Sequence, residues 1–114
     1  MILRQEDITW LASAIDGEGS IVVNRRTGYV QICVYNSDYK YARKAACLMG
    51  CRAYRLKSGV YSAYTNKRMT CLKVLKQIEP FLIVKRVKAI SGIRSILDYY
   101  DIADIVLRAY PSLP

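Results

Sequence analysis

The apolar pattern of this chain changes period at Gly19, and that change constrains the fold more than any other feature of the sequence. Upstream, Ile8, Leu11, Ala12 and Ile15 recur at i, i+3, i+4 and i+7, the spacing of one helix face. Asp7 is the expected N-cap of that helix, and Gly17 its approximate end. A second stripe, Trp10, Ser13, Ala14 and Gly17, has the same spacing and is small along most of its length, which suits close approach of another helix. A second copy of the chain is the economical partner for it; a plain core helix under a long C-terminal helix is the alternative. Downstream, residues 20–26 and 29–35 alternate with period two and read as strands joined near Thr27-Gly28. In the second strand Val30, Ile32 and Val34 face one way, and Tyr29, Gln31, Cys33 and Tyr35 the other, as in an antiparallel sheet with one covered side.

The same order then repeats. Residues 38–49 read as a helix with Tyr41, Ala45, Leu48 and Met49 inward, Lys40, Arg43 and Lys44 outward, and Gly50 as its stop. A second hairpin follows, residues 51–57 and 60–66 around Ser58-Gly59. A two-residue turn there sets Lys57 opposite Val60 and Arg55 opposite Ser62, so that Arg55, Lys57, Ser62 and Tyr64 share a basic, polar face. Residues 69–78 form a helix ended by Pro80. Residues 82 to about 100 form a longer one, carrying Val84, Val87, Ile93, Ile96 and Leu97 despite Gly92, with a final turn or short helix over 101–110. The α-β-β unit thus occurs twice, at 7–36 and 38–66. The expected class is α+β, one domain over 1–114, whose hairpins form one antiparallel sheet with helices on one face.

Composition narrows the partners. Eighteen Lys and Arg against nine Asp and Glu give a net charge of +9, while 53% of residues are hydrophobic, so the chain folds and is also strongly basic. That combination points to a polyanion. Ten tyrosines, several interleaved with bases as in Tyr39-Lys40-Tyr41 and Tyr54-Arg55, add flat amphipathic surface. No apolar run reaches the ~20 residues of a membrane span, and the N-terminus lacks a secretory pattern, so a soluble intracellular protein with no membrane partner is expected. The four cysteines form no Cys-x-x-Cys pair and read as small buried hydrophobes. The absence of histidine excludes Ser-His-Asp and Cys-His catalysis.

Two features carry chemistry. Asp16 and Glu18 stand at the C-terminal, negative end of the first helix, where a carboxylate needs a cation or donors to compensate it. Two such helices side by side would bring two copies of Glu18, or of Asp16, near one axis, and divalent metals held by carboxylates suit phosphodiester hydrolysis. The bland reading is that both acids merely cap the helix and turn. The sheet face with Asn24, Arg26, Gln31, Arg55 and Lys57 has the width and groups to lie in a DNA major groove, Arg and Lys reading guanine edges, Asn and Gln adenine edges. Its bland reading is an ordinary solvated face.

Leu11-Ala-Ser-Ala-Ile-Asp-Gly-Glu-Gly19 resembles the nine-residue signature of the LAGLIDADG homing endonucleases, with Leu11, Ala12, Ile15, Asp16 and Gly19 matching as written. Glu79-Pro-Phe-Leu-Ile-Val-Lys85 resembles the family's segment after the second hairpin, and the resemblance covers roughly residues 7–100. It implies the α-β-β-α-β-β-α fold with a four-stranded DNA-binding sheet. It further implies Glu18 as the metal ligand, Asp16 as structural support, and Lys85 as the basic group acting on the attacking water or the developing charge. Asn36 would position water, and Gly17 and Ser20 would bound the metal site through backbone carbonyls. The helix stripe at Trp10, Ser13, Ala14 and Gly17 would join two copies. Serine replaces the signature's first glycine at Ser13, and glutamate replaces its aspartate at Glu18. The implied activity is a homodimeric, site-specific endonuclease that cuts both strands of a long, partly palindromic duplex with Mg²⁺, Mn²⁺ substituting and Ca²⁺ supporting binding alone. Its half-sites would be read by Asn24, Arg26, Gln31, Arg55, Lys57, Ser62 and Tyr64. Two alternatives stand beside it: a maturase that binds intron RNA, and a DNA-binding protein of the same fold without nuclease activity.

Overall fold

The structure, a computed structural model, describes residues 2–109, the side chain of Val106 excepted. Helix α1 spans Gln5–Glu18 and runs straight into strand β1, Gly19–Asn24; β2 is Tyr29–Asn36. Helix α2, Tyr39–Met49, leads to β3, Ala53–Arg55, and β4, Tyr61–Thr65. Helix α3, Arg68–Ile78, passes through a 3-10 turn at Glu79–Phe81 to the long helix α4, Arg86–Ala109. The expected element order holds.

The four strands form one antiparallel sheet in the order β1-β2-β4-β3, so the two hairpins join through their second strands. Val30, Ile32 and Val34 of β2 are fully buried on the helix side, each stabilising the fold by roughly 1.5–3 kcal/mol. Leu11 and Ile15 of α1, Ala45 and Met49 of α2, Val74, Leu75 and Ile78 of α3, and Ala89 and Ile96 of α4 complete that core. Tyr29, Gln31 and Tyr35 stand on the other face, as their alternation predicts.

Local chemistry moves several boundaries. Helix α1 begins at Gln5 rather than after Asp7, because the Arg4 carbonyl already accepts from Asp7 and Ile8 and the acidic residues fall in its first turn. Asp38 caps α2 as a side chain should, accepting from the Lys40 N–H at 2.9 Å. Helix α4 starts at Arg86, four residues later than expected, so Val84 falls outside it, and Val84 and Val87 are both exposed. It continues without a break to Ala109; the expected end at Tyr110 lies outside the described residues. Of the cysteines, Cys33 and Cys71 are buried, but Cys47 is exposed and Cys51 only half-buried. Burial pushes the Cys51 and Cys71 thiols up to about 11, so neither is a thiolate near neutral pH.

Gly19 explains why the change of period falls where it does. A Cβ there would sit 2.5 Å from the Cys33 carbonyl oxygen and 2.8 Å from the Ile15 Cα, backbone atoms that cannot yield. Only glycine lets the end of α1 turn into β1 against β2. Gly19→Ala should therefore cost at least about 2 kcal/mol, read as a lowered urea midpoint. An unchanged midpoint would contradict the close approach.

Candidate active site and nucleic-acid interface

The misplaced charges at the end of α1 are compensated from across the sequence. The Asp16 carboxylate accepts from the backbone N–H groups of Ile83 (2.7 Å), Val84 (3.2 Å) and Lys85 (2.9 Å), in the segment that leads into α4. The Lys85 Nζ returns the contact, donating to the Asp16 backbone carbonyl at 2.8 Å. Thus the positive end of α4 meets the negative end of α1, and an ammonium satisfies one of the carbonyls a helix C-terminus leaves free. Residues 83–85 stay outside α4, whose first turn closes with the Ala89 N–H on the Lys85 carbonyl at 3.0 Å.

Glu18 is left over. It is exposed and makes no hydrogen bond or ion pair among the described residues, whereas three of the four acceptor sites of Asp16 are occupied. Tyr41, half-buried on α2 and stacked at a tilt on Trp10 at 5.0 Å, lies close to it. Burial and then the Glu18 charge hold the Tyr41 hydroxyl above its ordinary value. Its spacing on α2 marks Tyr41 only as an inward core residue, and nothing in that spacing marks it as a neighbour of Glu18.

No group of three or more acidic, Cys or His side chains among the described residues could by itself hold a metal ion. One free carboxylate is nevertheless a fitting donor for Mg²⁺, a hard cation that is commonly held by one or two carboxylates together with substrate phosphates. Gly17 is exposed beside Glu18, and Ser20 is half-buried at the start of β1. Asn36 ends β2 and uses its side-chain oxygen to accept from the Asp38 N–H at 2.8 Å, a local turn into α2.

The small stripe on α1 divides. Ser13 and Gly17 are exposed, but Ala14 is buried and Trp10 packs within its own chain, against Tyr41 and under the Lys44 ammonium at 4.5 Å. The open face of α1 is Thr9, Ser13 and Gly17, one helical row. It forms one wall of a shallow groove whose other wall is Phe81, Ile83 and Val84. Ile83 is 88% exposed and Val84 74%, and Val87 follows at 82%, a concentration of apolar surface on the Asp16 side of α1.

The sheet's open face also differs from expectation, through one turn. Leu56 N–H bonds to the Val60 carbonyl at 2.8 Å, enclosing a three-residue turn of Lys57, Ser58 and Gly59, with Gly59 at φ +88°. The register is therefore Arg55 opposite Tyr61 and Tyr54 opposite Ser62, one residue from the two-residue-turn pairing. A one-residue slip turns every side chain over. Tyr54 joins Ser62 and Tyr64 on the open face, its ring 6.0 Å from that of Tyr64, while Arg55 takes the opposite parity and Lys57 sits in the turn. Arg26 likewise lies in the turn after β1, where its N–H bonds to the Asn24 side-chain oxygen at 3.1 Å. The open face is thus tyrosine, amide and hydroxyl in the middle, with the cations Arg25, Arg26, Arg52 and Lys57 exposed in its turns and beside β3, and Arg55 exposed at that edge on the opposite side.

No protein-family model and no curated protein matches this sequence. Among solved structures, it is similar to the homing endonuclease I-CvuI in complex with its target in the presence of calcium. The TM-score is 0.70 at 18% identity over 88% of this chain and 71% of that one. The same endonuclease with the I-CreI target and magnesium, a complex in which the DNA is not cleaved, gives 0.68 at 18% identity over 83% and 68%. The homing endonuclease I-TnaI gives 0.63 at 20% identity over 85% and 74%. The chain has the homing-endonuclease fold that the resemblance of residues 11–19 implies. No helix among the described residues is long and apolar enough to cross a membrane.

Proposed function

From the fold it shares with the homing endonucleases, we propose that this chain is a metal-dependent, site-specific DNA endonuclease, a single domain that works as a homodimer. The observation that carries the reading is the division of labour at the end of α1. Asp16 is committed to holding the 83–85 segment, and Glu18 is left exposed and, among the described residues, unpaired. An exposed carboxylate with no structural partner is a cost to a helix C-terminus, which function compensates.

The occupant of the face formed by Thr9, Ser13, Gly17, Ile83 and Val84 is a second copy of the chain. The row on α1 is small enough for two helices to approach, and such packing brings two Glu18 carboxylates to a common axis, completing the half-sets of donors. A divalent ion bound by Glu18, with the Gly17 carbonyl beside it, would polarise a phosphoryl oxygen and acidify a water. Lys85, with two N–H groups left after its bond to the Asp16 carbonyl, stabilises the charge that develops on the phosphate as water attacks phosphorus and the strand oxygen leaves. Asn36 retains its amide N–H groups to orient that water. Asn24, Gln31 and Tyr64 read base edges from the open face, Ser62 at 5% exposure lying too deep to reach them as the sequence suggested, while Arg26, Arg55 and Lys57 hold the flanking phosphates. Ile83→Asp should convert a dimer of the 13.0 kDa chain to monomer in sedimentation at micromolar concentration and abolish double-strand cleavage. A wild-type monomer that cuts both strands would sink the shared site.

The direct test is selection from a randomised duplex pool with Ca²⁺, followed by addition of Mg²⁺ or Mn²⁺. Sequence-selective retention and then cleavage of both strands at one locus is expected; retention without selectivity would refute the reading. One observation favours a second polyanion contact. Lys40, Arg43 and Lys44 are exposed on α2, on the helix side of the sheet, where intron RNA could bind without competing with the open face. Cleavage absent with every metal, beside tight binding of that RNA, would establish the maturase reading instead.

A further inference from the structure

We propose that Gln31 reads one adenine in each half-site, and that Tyr29 is the positioning residue that holds its amide for the purpose. The inference rests on the proposed DNA-binding open face and adds the base it selects and the residue that sets the selection. Tyr29, Gln31 and Cys33 stand at i, i+2 and i+4 on that face of β2. The Tyr29 hydroxyl donates to Gln31 Oε1 at 2.5 Å, and Gln31 Nε2 donates to Cys33 Sγ at 3.3 Å. Cys33 is itself only 2% exposed, its sulfur 4.0 Å from the Ser62 hydroxyl, so it serves as an anchor beneath the amide rather than as a contact surface.

A carboxamide has two lone pairs and two N–H groups. The two bonds along the strand use one of each, which leaves one acceptor and one donor side by side on a group whose rotation is already arrested. The major-groove edge of adenine offers the complementary pair, the N6 donor and the N7 acceptor. Guanine offers two acceptors, O6 and N7, and would oppose the amide oxygen; thymine offers an acceptor and a methyl, and cytosine only a donor. Adenine alone satisfies both free groups. Because Tyr29 and Cys33 have already removed most of the side chain's rotamer freedom, the preference is not spent on ordering a long flexible residue.

The test compares wild type, Gln31→Ala and Tyr29→Phe on a randomised duplex pool with Ca²⁺, sequencing the retained DNA and recording each variant's thermal midpoint. Wild type should prefer adenine at one position per half-site by about ten-fold. Gln31→Ala should erase the preference at that position and leave the others. Tyr29→Phe keeps the ring and loses only the hydroxyl, so the same position should fall to about three-fold or less, while the preferences at the other positions and the thermal midpoint hold. A Tyr29→Phe profile identical to wild type, or a selective wild type with no adenine position that depends on Gln31, would overturn this inference and leave the endonuclease reading standing. A wild type that selects no sequence at all would remove both.

Discussion

Glu18→Gln is expected to reduce DNA cleavage by on the order of 10³-fold while leaving sequence-selective binding in Ca²⁺ within a few-fold of wild type. The substitution keeps the size and hydrogen-bonding reach of the side chain but removes the negative charge that makes it a ligand for a hard cation. Folding should be indifferent to it, because the Glu18 carboxylate is exposed and holds no hydrogen bond or ion pair among the described residues. Removing its charge even relieves an unfavourable position at a helix C-terminus, so the thermal midpoint should stay level or rise slightly. Cleavage by Glu18→Gln at the wild-type rate would refute Glu18 as the metal ligand. A large fall in midpoint would instead mean that the charge is structural.

Asp16→Ala should have the opposite profile, a stability defect first and an activity defect because of it. Three backbone N–H groups lose their acceptor at once, and the Lys85 amine loses the segment that carries it to the end of α1. Hydrogen bonds to a charged group contribute about 1.5–3 kcal/mol each, but Asp16 is half-exposed and water recovers part of that, so a net loss of about 2–3 kcal/mol is expected. For a chain of this size that is a fall of roughly 10 °C in the thermal midpoint. Asp16→Asn retains one acceptor oxygen and should fall between wild type and Asp16→Ala. Melting curves for the three proteins check it, and a fall of less than about 3 °C for Asp16→Ala would show that the α1–α4 junction does not depend on the carboxylate. Together the two acids make a clean contrast: one substitution that spares the fold and stops the reaction, one that acts through the fold.

Much of this was legible in residue patterns. Helix and strand periods around Gly19 gave the element order, and the alternation of Val30, Ile32 and Val34 with Tyr29, Gln31 and Cys33 assigned the two faces of β2 correctly. Asp38 and Gly50 bounded α2 for local reasons that sequence carries in full, a side-chain cap at one end and a stop at the other. In the second hairpin turn length, not strand composition, sets the register, and the strand pattern does not contain it. Gly59 is compatible with a two- or a three-residue turn, and the difference moves Arg55 off the open face and Tyr54 onto it. The stripe on α1 was half right: spacing cannot tell that Trp10 has an aromatic partner on α2 while Ser13 has none.

The sequence by itself determined the order of elements, the buried face of the central strand and the position of two acids at a helix end, because periodicity, capping and charge are local properties of the chain. Only the tertiary structure decided what each acid does. The partners of Asp16 lie 67 to 69 residues further along, brought there by the packing of α1 against the segment before α4, and no local rule contains that pairing. With those N–H groups on Asp16 and the Lys85 amine on its carbonyl, Glu18 is the carboxylate left exposed at the end of α1, without a side-chain bond among the described residues.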